Sequence, residues 1–158
     1  VNVSARQFRE PNLIGRVVNA LRDSGLEARY LELEVTESLI MQDVELAVAT
    51  MNALQNLGVQ ISIDDFGTGY SSLSALKTFP VARLKIDRSF IKDLAADEND
   101  QAVASAVISL GQNLHLRVIA EGVETDDQVA FLRKNNCDEP VSAQGIEKLL
   151  DGKEETTR

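Results

Sequence analysis

The 158-residue chain holds one cysteine, Cys137, and one histidine, His115. A lone cysteine cannot close an internal disulfide, which fits a reducing cytoplasm. A lone histidine excludes a histidine-rich zinc site, so any metal must be held by oxygen. Positive charge is scarce as well: 16 Lys and Arg against 25 Asp and Glu give a net charge of −9. That balance argues against a basic groove for long nucleic acid, but admits a small nucleotide where bound cations supply positive charge locally. The longest apolar runs, such as Val103–Leu110, fall far short of the ~20 residues that cross a bilayer. No basic-then-apolar leader precedes the first β-rich run, and Val1–Val3 already has a strand pattern without an initiator methionine. The chain is therefore expected to be part of a longer polypeptide, cytoplasmic and without membrane contact of its own.

What remains is a globular composition, 44% hydrophobic and 26% charged, enough for one domain with a core. Short β-rich runs alternate with amphipathic helical segments. The pattern predicts strands at Val1–Ser4, Leu31–Thr36, Val59–Asp64, Arg83–Asp87, Arg117–Glu121 and Asp138–Gln144. It predicts helices at Asn12–Ser24, Asp43–Leu57, Ser72–Lys77, Asn99–Asn113 and Thr125–Asn135. Gly25 and Gly58 stand just past helix ends, where a left-handed residue is favoured. Asp43 is placed to cap the second helix, and Thr125-Asp126-Asp127-Gln128 reads as a capping box. Strands spaced roughly 25 to 35 residues apart, each followed by a helix, are βαβ units of a parallel α/β sheet. A doubly wound sheet and a (β/α)8 barrel both fit, and five or six units are about three-quarters of a barrel that normally needs ~250 residues. No linker or low-complexity tract divides residues 1–150, and the acidic segment 151–158 reads as a solvated tail.

In parallel α/β folds chemistry sits at the carboxyl ends of the strands, and these ends are polar in strand after strand. Asn2 lies in the first run, Glu34 in the second, Asp64 and Asp65 close the third, and Lys85 and Asp87 the fourth. Glu121 closes the fifth and Gln144 lies in the last. Converging buried charges are costly unless paired or bound to metal. Carboxylate and amide oxygens suit Mg²⁺ or Mn²⁺, and Asp64 or Asp65 could bridge two ions that activate water and clamp a phosphoryl group. In that reading Lys85 stabilises charge on the phosphoryl oxygens or orients the water, and Glu121 is a base or a partner for Lys85. The alternative is a structural ion-pair network at the barrel rim.

The loop Asp65-Phe66-Gly67-Thr68-Gly69-Tyr70-Ser71-Ser72 reads as a mobile cover for that site, or as a tight strand-to-helix turn. Its Asp-Phe-Gly string matches one found in kinases. Neither a kinase catalytic loop nor a Gly-rich phosphate loop accompanies it, and no Walker A pattern is present.

Five strings occur in order: Asn2-Val3-Ser4, Glu34-Val35-Thr36-Glu37-Ser38, Asp64 to Ser72, Lys85-Ile86-Asp87 and Glu121-Gly122-Val123-Glu124-Thr125. From Val1 to about Glu139 the chain closely resembles the EAL domain family, bacterial phosphodiesterases of cyclic di-GMP. The resemblance implies an incomplete (β/α)8, TIM-like barrel lacking its first two strands, and opening of cyclic di-GMP to linear pGpG with Mg²⁺ or Mn²⁺. It makes Asn2, Glu34, Asp64 and Asp65 metal-site residues. Lys85 and Glu121 become the pair that assists the attacking water, and Glu37 the anchor of the mobile loop. That loop and the helices after it resemble a region through which the family dimerises, so a homodimer or higher assembly is expected.

Two departures from the family pattern bear on activity. The Glu-Ala-Leu signature, whose glutamate is a metal ligand, is absent from these 158 residues. Near the other end, Cys137-Asp138-Glu139 runs into Pro140-Val141-Ser142-Ala143 before Gln144-Gly145, a longer spacing than the family's, so Gln144 matches the family's active-site glutamine only loosely. This chain alone is expected to hydrolyse cyclic di-GMP very slowly or not at all. A degenerate EAL module that binds cyclic di-GMP or a protein partner is the competing expectation.

Overall fold

The computed structural model describes residues 1–68 and 73–141. Five strands, β1 (Glu32–Thr36), β2 (Gln60–Phe66), β3 (Arg83–Ile86), β4 (Arg117–Glu121) and β5 (Glu139–Val141), form one sheet in the order β1-β2-β3-β4-β5. Every adjacent pair is parallel. A doubly wound sheet reverses direction at a switch point, whereas here each strand lies beside its successor throughout. The sheet is an arc of a (β/α)8-type barrel.

The helices are α1 (Ala5–Phe8), α2 (Leu13–Ser24), α3 (Glu37–Met41), α4 (Val44–Asn56), α5 (Leu73–Leu76), α6 (Arg88–Lys92), α7 (Glu98–Asn113) and α8 (Asp126–Lys134). Their ends follow local chemistry. Asp43 accepts from Leu46 N at 3.0 Å and starts α4, and Thr125 with Gln128 forms the expected capping box of α8. Gly25 and Gly58 take φ of 70° and 89° where α2 and α4 stop, a region in which only glycine is free of a Cβ penalty.

Val1–Ser4 is not a full strand. Asn2 makes a single parallel bridge to Glu34, with Val3 N donating to Glu34 O at 2.9 Å and Glu34 N to Val1 O at 2.8 Å. Ser4 has left the ladder to cap α1, its hydroxyl accepting from Gln7 N. Of the last predicted strand, β5 covers Glu139–Val141, and Gln144 lies outside the described residues, as do 69–72 and the tail.

Leu84, Ile86, Val118, Ala120 and Ile63 are essentially inaccessible and pack outward against Met51, Leu54, Ile108 and Leu132 of the helices. Gly111 lets α7 lie close on β4: a Cβ there would stand 2.2 Å from Cγ2 of Val118. Alanine is favoured over glycine in a helix by about 1 kcal/mol, but a methyl forced against a closed core costs about 1–3 kcal/mol. Gly111→Ala should therefore destabilise the protein by about 1 kcal/mol net, read from the urea midpoint at unchanged slope. A gain in stability would show that Val118 repacks freely.

Candidate active site

The side chains opposite that core point into the lumen of the arc. Register sets them in tiers: Asn2 beside Glu34, Glu34 beside Ser62, Ser62 beside Arg83, and Thr36 beside Asp64. At the amino-terminal end of the strands Arg83 pairs with Glu32 and donates to Gln60 at 2.9 Å. Arg117 pairs with Glu139 at 3.2 Å.

At the carboxyl end Lys85 forms the centre. Its side chain is only 7% exposed, and Nζ lies 2.6 Å from Glu121, 2.8 Å from Glu34 and 3.7 Å from Asp64. Burial pulls the Lys85 pKa down. Hydrogen bonds to Glu121 and Glu34, with the charge of Asp64, outweigh it and hold the ammonium above the ordinary lysine range. Lys85 is thus a permanent cation at neutral pH. Three carboxylates against one ammonium leave an excess of two negative charges.

β2 delivers two carboxylates in succession because its register with β3 shifts between Ile63 and Phe66, and such an irregularity re-aims side chains. Asp65 takes a positive φ of 54°, which aspartate tolerates better than bulkier residues. Its NH donates to Asp64 Oδ1 at 3.0 Å. Burial first, then the charge of Asp64 and contact with Asp87, raise the Asp65 carboxyl above its usual range, with Lys85 opposing. Asp87 is pushed up by burial but more strongly down by Ser89 and by Asp65, so the proton of this pair belongs on Asp65. A raised folded-state pKa favours folding below the unfolded value of 3.8 and disfavours it once pH rises through the folded value. Asp65→Asn, which keeps tolerance of positive φ, should accordingly stabilise the protein at pH 7. Solvent screening limits the gain to about 0.5 kcal/mol. The gain should vanish below pH 3.8, as denaturant melts at both pH values would show.

Glu37, at the first position of α3, is 2% exposed and accepts from Gly67 N at 2.9 Å. It ties the segment after β2 to the end of β1. Thr68 Oγ1 closes back on Asp65 O at 2.8 Å.

The oxygen-rich set fits a hard divalent cation. Its surplus of two negative charges equals the charge of one such ion. The fully buried Ser62 Oγ, in register with Glu34, has no hydrogen-bond partner among the described residues. Among the described residues no three acidic, His or Cys side chains are set closely enough to hold an ion by themselves; Glu34, Asp64 and Glu121 meet at the Lys85 ammonium instead.

The profile of the EAL domain family matches residues 1–145. The chain belongs to the EAL domain family. Cyclic di-GMP phosphodiesterase NbdA of Pseudomonas aeruginosa is 49% identical over 138 residues, 87% of this chain but 18% of NbdA. The solved PaMucR phosphodiesterase in complex with c-di-GMP is similar with a TM-score of 0.85 at 46% identity, covering 92% of this chain and 62% of that one. BlrP1 of Klebsiella pneumoniae, solved with manganese and cyclic di-GMP, gives a TM-score of 0.77 at 29% identity, over 86% of this chain and 35% of its own. The chain therefore spans less than a fifth of the length of NbdA.

Within this EAL domain the fold brings Glu34, Asp64, Lys85 and Glu121 into one cluster, with Asn2 beside Glu34 and Asp65 beside Asp64. Gln144 falls outside the described residues. Sequence reasoning missed two supports of the rim. Arg88 lies across Gly122, with its Cγ 2.6 Å from where a Cβ would be, and reaches Glu124 at 2.6 Å. The buried Gln128 accepts from Glu124 N and Thr125 N and donates to Ile91 O and Lys92 O. The capping-box signal announced its local bonds but not its reach to α6.

Proposed function

We propose that this EAL domain is a metal-dependent phosphodiesterase site that opens cyclic di-GMP to linear pGpG. The observation that carries the reading is Lys85 held by Glu34, Asp64 and Glu121 at the carboxyl ends of four adjacent lumen segments. Its support from relatives is the activity in NbdA's name and the c-di-GMP and manganese in the PaMucR and BlrP1 structures.

Asn2, Glu34, Asp64 and Asp65 would hold Mg²⁺ or Mn²⁺ through their oxygens. Ions so held supply charge neutralisation at the phosphoryl group and a lowered pKa for attacking water. Lys85, charged throughout the neutral range, donates to the water or to a phosphoryl oxygen and does not act as a base. Glu121, the most exposed of its partners at 43%, faces the open side and accepts a proton from the water. Glu37 holds the Gly67 end of the covering loop in place.

The test is incubation of the chain with cyclic di-GMP and Mn²⁺ or Mg²⁺, followed by nucleotide chromatography. Slow, metal-dependent formation of pGpG is expected, and Asp64→Ala should lower it at least about tenfold, the scale of losses at metal sites. Binding of cyclic di-GMP with no product in either metal would favour a receptor module. Absence of both binding and product would overturn the proposal.

The assembly expected is a homodimer or larger. The reading rests on the segment that follows β2 and the helices after it, which resemble a region through which the family dimerises. Sedimentation should show a dimer or more, and a compact monomer would refute this. A cytoplasmic location agrees with the single cysteine, Cys137; burial pushes its thiol up to about 11 and keeps it inert.

A further inference from the structure

We propose that Gln128 is a positioning residue of the phosphodiesterase site: it fastens the segment after β4 to α6 and thereby fixes Glu121 on Lys85. The inference rests on the function proposed above and adds to that site a residue of the outer helix α8.

Lys85 and Glu121 stand on neighbouring strands, and each strand leads directly into a segment that Gln128 holds. β3 passes through Asp87 into α6, while β4 ends at Glu121 and continues through Gly122 and Val123 to Glu124 and Thr125. The Gln128 amide, 4% exposed, lies between the two. Its Oε1 accepts from Glu124 N at 2.7 Å and from Thr125 N at 3.0 Å. Its Nε2 donates to Ile91 O at 2.9 Å and to Lys92 O at 3.1 Å. Two NH groups at one end and two carbonyls at the other admit a single orientation of the amide, and they engage both its protons and both its lone pairs.

The bonds to Glu124 and Thr125 belong with the capping box of α8, which a glutamate at this position would also complete. The bonds to α6 do not. They hold the last turn of a five-residue helix, too short to keep its place by its own hydrogen bonds. The Arg88–Glu124 ion pair joins the same two segments, but at 67% and 58% exposure water competes for both partners. The buried amide is the stronger tie. The Glu121 side chain is itself 43% exposed, so little packing fixes it, and the backbone that carries it sets its distance from Lys85. A reacting group displaced by about 1 Å loses up to about a hundredfold in rate.

Gln128→Glu isolates the tie to α6. Its carboxylate keeps the cap but faces Ile91 O and Lys92 O without a proton to donate. With cyclic di-GMP and Mn²⁺, kcat should fall at least about tenfold while KM stays within about twofold, in protein that circular dichroism shows to be folded. An unchanged kcat, or one that falls only in step with the folded fraction, would overturn the inference. Melting temperature gives a second reading that needs no activity. Glu121→Ala should lower it less in the Gln128→Glu background than in the wild type, because the contact with Lys85 is already loosened there. Equal drops in the two backgrounds would overturn the positioning role. A wild-type chain that forms no pGpG would sink the phosphodiesterase reading instead, and the thermal cycle would still decide whether Gln128 fixes Glu121. If Gln128→Glu does not fold, Gln128→Met, which fills the same space without charge, takes its place in both measurements with the same results expected.

Discussion

Lys85→Met should cost the metal-free protein about 3 kcal/mol, lowering its melting temperature by about 10 °C at this chain length. Arg88→Ala, at the same rim, should change stability by less than about 0.5 kcal/mol. Both residues make a 2.6 Å contact to a glutamate on the segment that ends β4, so distance alone does not distinguish them. Burial does. The Lys85 side chain is 7% exposed with two carboxylate partners near 20%, whereas Arg88 and Glu124 are 67% and 58% exposed. Removing Arg88 returns Glu124 to water. Removing the Lys85 charge leaves Glu34 and Asp64 facing each other in the lumen, and uncompensated buried charge is among the few causes of losses this large. The open position of Glu121 keeps the figure at the low end of the range. Because the Lys85 pKa is raised from 10.5, its contribution is complete below that pH and is lost only as pH climbs through the higher folded-state value. The gap between wild type and variant should thus be constant between pH 7 and 9, as urea melts in chelator would show. A gap no larger than that for Arg88→Ala would mean that water enters the lumen freely.

The parallel arc was legible because its strands carry apolar residues on the face that meets the helices, and helices separate those strands at regular spacing. β1 to β4 begin and end within two residues of their predicted limits. The same alternation placed Glu34, Asp64, Lys85 and Glu121 at one rim. It could not show that all three carboxylates meet one nitrogen, since periodicity assigns a face and not a partner. The short helices α1, α3 and α6 escaped notice because four or five residues do not complete an amphipathic repeat. Ser4-Ala5-Arg6-Gln7 nevertheless carries a capping-box signal that would have ended the first strand earlier. The positive φ of Asp65 and the register shift beside it arise from tertiary packing of β2 against β3 and have no local signature. The tier of Glu32, Gln60 and Arg83 was equally hidden, because a charged residue in a strand ordinarily faces solvent.

Glu37→Ala should lower stability by about 2 kcal/mol and the melting temperature by about 5 °C. Any pGpG formation should fall at least about tenfold, the scale expected when a group positioning a metal site is lost. Glu37 is 2% exposed, so its carboxylate is held by protein and not by water. Its bond to Gly67 N spans 30 residues and joins the turn after β1 to the turn after β2. Gly67 itself stands at φ 103°, and a Cβ there would lie 3.1 Å from the ring of Phe90. The turn is thus held by Glu37 through its NH, and the nearby Phe90 ring leaves little room for a side chain at Gly67. Loss of the carboxylate leaves that NH without its acceptor and frees the chain next to Asp65 and Asp64. Glu37→Gln separates position from charge: the amide oxygen can still accept from Gly67. It should retain most of the stability and more of the activity than alanine. If glutamine were as damaging as alanine, the charge of Glu37 and not its grip on Gly67 would be what the site needs.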